Sequence, residues 1–261
     1  MKSTINAENH ARFLKDMVAL QLWYVIRVVR SGQADFIETL NRCTQIYAFS
    51  TGSIGNLPVD KNPKWLEVTE ELQKRWRELG DEKFLTSFWP YLESHIRPGI
   101  PMDLNREEEA LQQSHYGFSY EYHPEYFGPK EPEFLTLHFR NFFVSDSPFH
   151  HRSELIAGLI QVLDKVSEEN RKVDHVQCGT WLNGFNPFLD LFPESWRQSA
   201  RDVPMDGSFG WWGQFVDRTG QLHASNVAAF KSTKEFLYPN RVCTCGVEEL
   251  RQHLVSAAEG E

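Results

Sequence analysis

The chain is poor in three things, and each shortage removes a class of protein. It has only 4 cysteines in 261 residues, and Cys243 and Cys245 stand a single residue apart. No disulfide framework is built from such a set. It has no surplus of positive charge: 27 Lys and Arg face 36 Asp and Glu, for a net charge of −9, and neither half is basic. A nucleic-acid partner or an anionic membrane surface is therefore not expected. It has no long apolar run either. The best stretch, Met17 to Val29, is interrupted by Gln21 and Arg27 and falls short of the ~20 residues a membrane span needs. Met1 to His10 contains no apolar segment followed by a small-residue cleavage site, so we expect a cytoplasmic, reduced protein. The 10 histidines form no H-x-x-x-H or H-E-x-x-H pair, and no metal site is expected from spacing.

What the chain has in quantity is aromatic surface, 13% of residues with 8 Trp and 19 Phe. The first half reads as helices. Phe13, Met17, Leu20 and Tyr24 recur at helical spacing, with Leu14, Val18, Val25 and Val29 beside them, a stripe wide enough for a helix covered on several sides. Ala34 to Phe49 reads as a second helix. A third begins at the N-cap and first-position pair Asn62-Pro63, carries Trp65, Val68, Leu72 and Trp76, and stops at Gly80. A fourth is expected from Asp81 to His95. Between Pro101 and Pro132 the pattern breaks: Arg106 to Gln113 reads as one helical stretch, and His115 to Pro129 as irregular and aromatic.

The second half alternates. Phe134 to Asn141 has the period of a strand, with Leu135, Leu137 and Phe139 on one face and Thr136, His138 and Arg140 on the other. Ser147-Pro148 opens a helix, and Val173 to Thr180 reads as a strand parallel to the first. Short helical turns follow from Trp181 to Trp196. Ser208 to Val216 is read as a strand turning at Asp217-Arg-Thr-Gly220, and Cys243-Thr-Cys245-Gly246 as a C-terminal turn. The expected fold is α/β of the α+β kind: a helical region, residues 1–128, followed by a mixed α/β region, residues 129–261.

Gly210-Trp-Trp-Gly-Gln-Phe215, if a strand, places Trp212 and Gln214 on one face as a flat wall with an amide. Cys178 ends a strand where open α/β sheets put ligands and becomes a nucleophile if a histidine reaches it. Trp181 and Asn183 follow directly. His138 and His223 are the candidate general bases, and Arg140 a candidate ligand contact. His150-His151-Arg152, at the start of a helix, gives a positively biased N-terminus for a phosphate or carboxylate.

The run Leu135-Thr-Leu-His138, a helix, and then Cys178-Gly-Thr-Trp181-Leu182 resembles the second half of acyltransferases with a GNAT-like C-terminal domain. The likeness spans residues 134–183. It implies a strand–helix–strand unit behind a helical region, and an acyl-coenzyme A as donor to a small-molecule substrate. The family's pyrophosphate loop, Arg/Gln-x-x-Gly-x-Gly/Ala, maps to Ser145–Arg152, which contains no glycine. The readings carried forward are an acyltransferase-like enzyme with an aromatic-walled pocket and a histidine base, a non-catalytic protein binding a small molecule in the same pocket, and a metal-dependent enzyme using His138, Cys178 and His223.

Overall fold

The computed structural model describes residues 7–122, 134–143, 146–169, 173–203 and 210–259. They belong to two compact units, one within residues 1–108 and one within 109–261. The fold is α+β, helices with a five-stranded mixed sheet. Among the described residues no helix is long and apolar enough to cross a membrane.

The first unit is helical. α1 (Ala7–Arg30) buries Leu14, Val18, Leu22 and Val25. The expected second helix is two, α2 (Phe36–Cys43) and α3 (Ile46–Ile54). The break is at Thr44, whose extended backbone is held by its own hydroxyl bonding to the Leu40 carbonyl at 2.6 Å. Such local side-chain bonds compete with the helix. α4 (Pro63–Leu79) starts where expected: Asn62 caps it by accepting from the Trp65 N–H, and Gly80 ends it at φ 74°. The expected fourth helix divides at Phe88 into α5 (Asp81–Ser87) and α6 (Trp89–Ile96), with Pro90 in the first turn of the second. α7 (Ile100–Gln112) takes in the helical stretch expected from Arg106 and begins six residues before it. The core of this unit is a single cluster containing Trp65, Leu72, Phe84, Leu92 and Val25.

The second unit is built on the sheet, in the order β1-β2-β3-β5-β4. β1 (Phe118–Glu121) lies in the stretch expected to be irregular, upstream of the boundary read at residues 128 and 129. The turn into it, Tyr116-Gly117, has positive φ at both positions (49° and 99°) and is closed by His115–Phe118 hydrogen bonds in both directions, the geometry of a two-residue hairpin turn. β2 (Phe134–Phe139) is antiparallel to β1, and α8 (Arg152–Glu168) carries the chain to β3 (His175–Thr180), which is parallel to β2. α9 (Asn186–Leu189) and α10 (Glu194–Gln198) are the expected short turns. β4 (Arg201–Asp202) then forms one edge. α11 (Ala224–Thr233), β5 (Arg241–Gly246) and α12 (Val247–Glu259) complete the chain. One face of the sheet, with Leu135, Leu137, Val176, Cys178, Cys243 and Cys245, packs into a core with Leu155, Leu159 and Val162 of α8 and Leu250 and Leu254 of α12.

Two expectations are corrected here. Cys243-Thr-Cys245-Gly246 is no turn: it is most of β5, which pairs along the whole of β3. Gly210–Phe215 is a 3₁₀ helix, not a strand, and only one bridge, Val216 to Leu222, remains of the expected hairpin. Ser208, where that strand was to start, lies outside the described residues. The physical reason is the period. Residues three apart eclipse in a 3₁₀ helix, so Trp212 and Phe215 fall together and are buried with Phe230 against Phe236. Gly210 and Gly213 likewise fall together, and a Cβ on Gly213 would lie 2.8 Å from the Trp181 indole nitrogen.

Candidate active site

The β2/β3 pair is where the sheet changes character. It is the parallel step in a sheet whose other pairings are antiparallel. Its register covers Phe134↔His175 to Thr136↔Gln177, after which each strand continues for three residues bonded to its outer partner alone. The carboxyl ends of the two strands thus part company. An opening at the carboxyl ends of parallel strands, at a change in strand direction, is where open sheets bind ligands.

A row of rings runs across this end. Phe139, last in β2, lies 6.3 Å from Phe149; Phe149 lies 5.2 Å from Phe185, Phe185 6.1 Å from Tyr238, and Tyr238 5.5 Å from Trp181, the residue after β3. All five are half-buried, and the buried Phe188 sits beneath Phe139 at 5.8 Å. Of these, only Trp181 was singled out by sequence reasoning. Trp212, expected in an aromatic wall, is 1% exposed and belongs to the Phe215–Phe230 core.

His138 is exposed on the face of β2 opposite the core. Its Nε2 lies 3.0 Å from Glu121 Oε1 on β1. A neutral ring donating through Nε2 keeps its lone pair on Nδ1, the arrangement of an oriented base. Ser119 is its cross-strand partner, and Arg140 follows two residues on.

The remaining expected residues are committed elsewhere. His223 is the N-cap of α11, its Nδ1 accepting from the Asn226 N–H and facing Ser225 Oγ at 3.0 Å, which uses the lone pair a base needs. The Cys178 thiol is fully buried beside Cys243, and burial pushes it up to about 12, so the thiolate required of a nucleophile is absent near neutral pH. Asn183 donates to the Cys178 and Arg241 carbonyls, both at 2.8 Å, and accepts from the Trp196 indole at 3.0 Å. It clamps β3, β5 and α10, with its amide spent. Gln214 is 1% exposed and equally satisfied by backbone.

At the start of α8, the basic N-terminus has its own anion. Asp146 accepts from the Ser147 N–H at 2.7 Å, faces His150 Nδ1 at 3.0 Å and His151 Nε2 at 3.1 Å. Those contacts, the backbone one foremost, hold its carboxyl below the usual range. The His151 ring lies flat on Phe143, with centroids 4.0 Å apart, and its Nδ1 faces Glu154 at 3.4 Å. Ser145, first in the stretch matched to the pyrophosphate loop, lies outside the described residues. Among the described residues no three His, Cys, Asp or Glu are grouped to hold a metal ion. The trio His138, Cys178 and His223 is not brought together, since Cys178 is in the core while His138 is on the opposite face.

No family model, no curated protein and no solved structure matches this chain. The geometry alone therefore describes the candidate site: two parallel strands that share a ladder only at their start, a row of rings at their carboxyl ends on the core side, and a histidine–carboxylate pair on the opposite face of β2.

Proposed function

We propose that the second unit is an acyltransferase-like domain acting on a small molecule, with acyl-coenzyme A as donor and His138 as general base. The observation that supports this reading is the short β2/β3 ladder, the parallel step of a strand–helix–strand unit, whose register ends at Thr136↔Gln177. His138 Nδ1 takes the proton of a bound amine or hydroxyl as that group attacks the thioester carbonyl. The C–S bond breaks, and the thiolate leaves as the thiol with the proton returned by His138. Glu121, 3.0 Å from Nε2, orients the ring. The 4 free cysteines fit a reducing setting, the cytoplasm.

Calorimetric titration with acetyl-coenzyme A and coenzyme A tests the donor. Saturable binding of the thioester supports the reading, and no binding at millimolar donor overturns it. The second reading, a non-catalytic binding protein, is favoured by Asp146. Its carboxylate occupies the helix start where the resemblance would put the donor's phosphates. Small molecules that bind without releasing free thiol from acetyl-coenzyme A would decide for it.

A further inference from the structure

We infer that the acceptor carries a carboxylate, held by Arg140 beside the group that His138 deprotonates; this rests on the acyl-transfer reading above and names its substrate class. The Arg140 N–H donates to the Gly117 carbonyl at 2.9 Å. That bond extends the β1/β2 register one step beyond Phe118↔Phe139, so the alternation of faces continues to residue 140. Phe139 packs on the core, while His138 and Arg140 are both exposed and share the other face. Two residues along a strand place their Cα atoms about 6.6 Å apart, a spacing that a small amino or hydroxy acid bridges between its carboxylate and its nucleophile.

Arg140 is also uncommitted. Arg30, Arg97, Arg241 and Arg251 each pair with a carboxylate. The Arg140 side chain has no hydrogen bond or ion pair among the described residues. Glu121 of β1 is engaged by His138. A guanidinium without a partner among the described residues, two residues from a base on the same strand face, suits bidentate recognition of a carboxylate.

The probes are N-acetyl-L-phenylalanine, the acylated form of such an acceptor, and its amide, titrated by calorimetry into the wild-type chain and Arg140→Gln. We expect the acid to bind at least tenfold more tightly than the amide, and Arg140→Gln to erase the difference. The variant should keep the wild-type melting temperature, because the side chain it replaces is exposed and unpaired. Equal binding of acid and amide, an advantage for the acid that survives in Arg140→Gln, or no binding of either overturns the inference. Acetyl-coenzyme A titrated into the same samples reports on the acyl-transfer reading separately. An acid preference dependent on Arg140 without donor binding sinks that reading and leaves the carboxylate site standing. Donor binding without an acid preference does the reverse.

Discussion

Gln214 grips the backbone of Tyr238 from both sides: its Oε1 accepts from the Tyr238 N–H at 3.1 Å, and its Nε2 donates to the Tyr238 carbonyl at 3.2 Å. Nε2 donates as well to the Trp211 carbonyl at 3.0 Å. Tyr238 is a ring of the proposed site, so this buried amide fixes one wall from behind. Gln214→Leu leaves those backbone groups unpaired, and the expected loss is about 1–3 kcal/mol of unfolding free energy. Urea denaturation measures it, and an unchanged midpoint would contradict the assignment.

Two glycines report on the two units one at a time. A Cβ on Gly52 of α3 would stand 2.3 Å from Gly99 Cα, and one on Gly158 of α8 would stand 2.4 Å from the His115 carbonyl oxygen. Both obstacles are backbone and cannot rotate away. Alanine gains ~1 kcal/mol in helix propensity at either position, and overpacking removes typically 1–3 kcal/mol. We expect net destabilisation from each. Gly52→Ala should be felt by probes in the first unit and Gly158→Ala by probes in the second, as read by hydrogen exchange. A stabilised protein in either case would show that these approaches yield easily.

Three buried thiols set an alkaline limit. Burial raises Cys178 and Cys245 to about 12 and Cys243 to about 11, from an ordinary 9.0. Above pH 9 the unfolded chain loses these protons while the folded one keeps them, so the unfolded state binds fewer protons and stability falls with pH. The contribution is whole below pH 9 and is lost progressively towards pH 11 to 12. A Cys→Ala change at all three positions should flatten the alkaline fall of the melting temperature, compared at equal distance from each protein's own pH 7 value. An equally steep fall would assign it to other groups.

His138→Gln keeps a hydrogen-bonding side chain and removes the base. Turnover of acetyl-coenzyme A with an amine acceptor should drop ~10²–10⁴-fold, while calorimetric affinity for the donor stays within a factor of two or three. Unchanged turnover would take His138 out of the mechanism.

The elements legible in the sequence are those whose signal is local. Asn62-Pro63 and Gly80 bracket α4, and the period-2 run at 134–139 marks β2. The parallel relation of β2 and β3 follows from the helix between them. The breaks at Thr44 and Phe88 were not legible, since nothing in the apolar spacing records a side chain bonding to its own helix. The Gly210–Phe215 segment misled because two adjacent tryptophans suit a pleated surface, while the glycines three apart carry the deciding period. β5 escaped notice because a six-residue run ending in Cys-Thr-Cys-Gly has the composition of a turn, and only its partner, β3, makes it a strand. For the candidate site, the shared face of His138 and Arg140 was legible from strand phase alone. Phe149, Phe185 and Tyr238 were not, because their meeting depends on how three separate loops converge.

The pairing of Cys178 with Cys243 also has a consequence in time. The middle seam of the sheet joins β3 to a strand that arrives only after α9, α10, β4, the 3₁₀ helix and α11 have been threaded past it. Closing a loop of that length costs entropy before a single ladder bond forms. β1 and β2 stand only twelve residues apart in the chain and have no such delay. Assembly of the second unit should therefore proceed from the β1/β2 pair and α8 inward, with β5 sealing the sheet last and holding the pace of the whole.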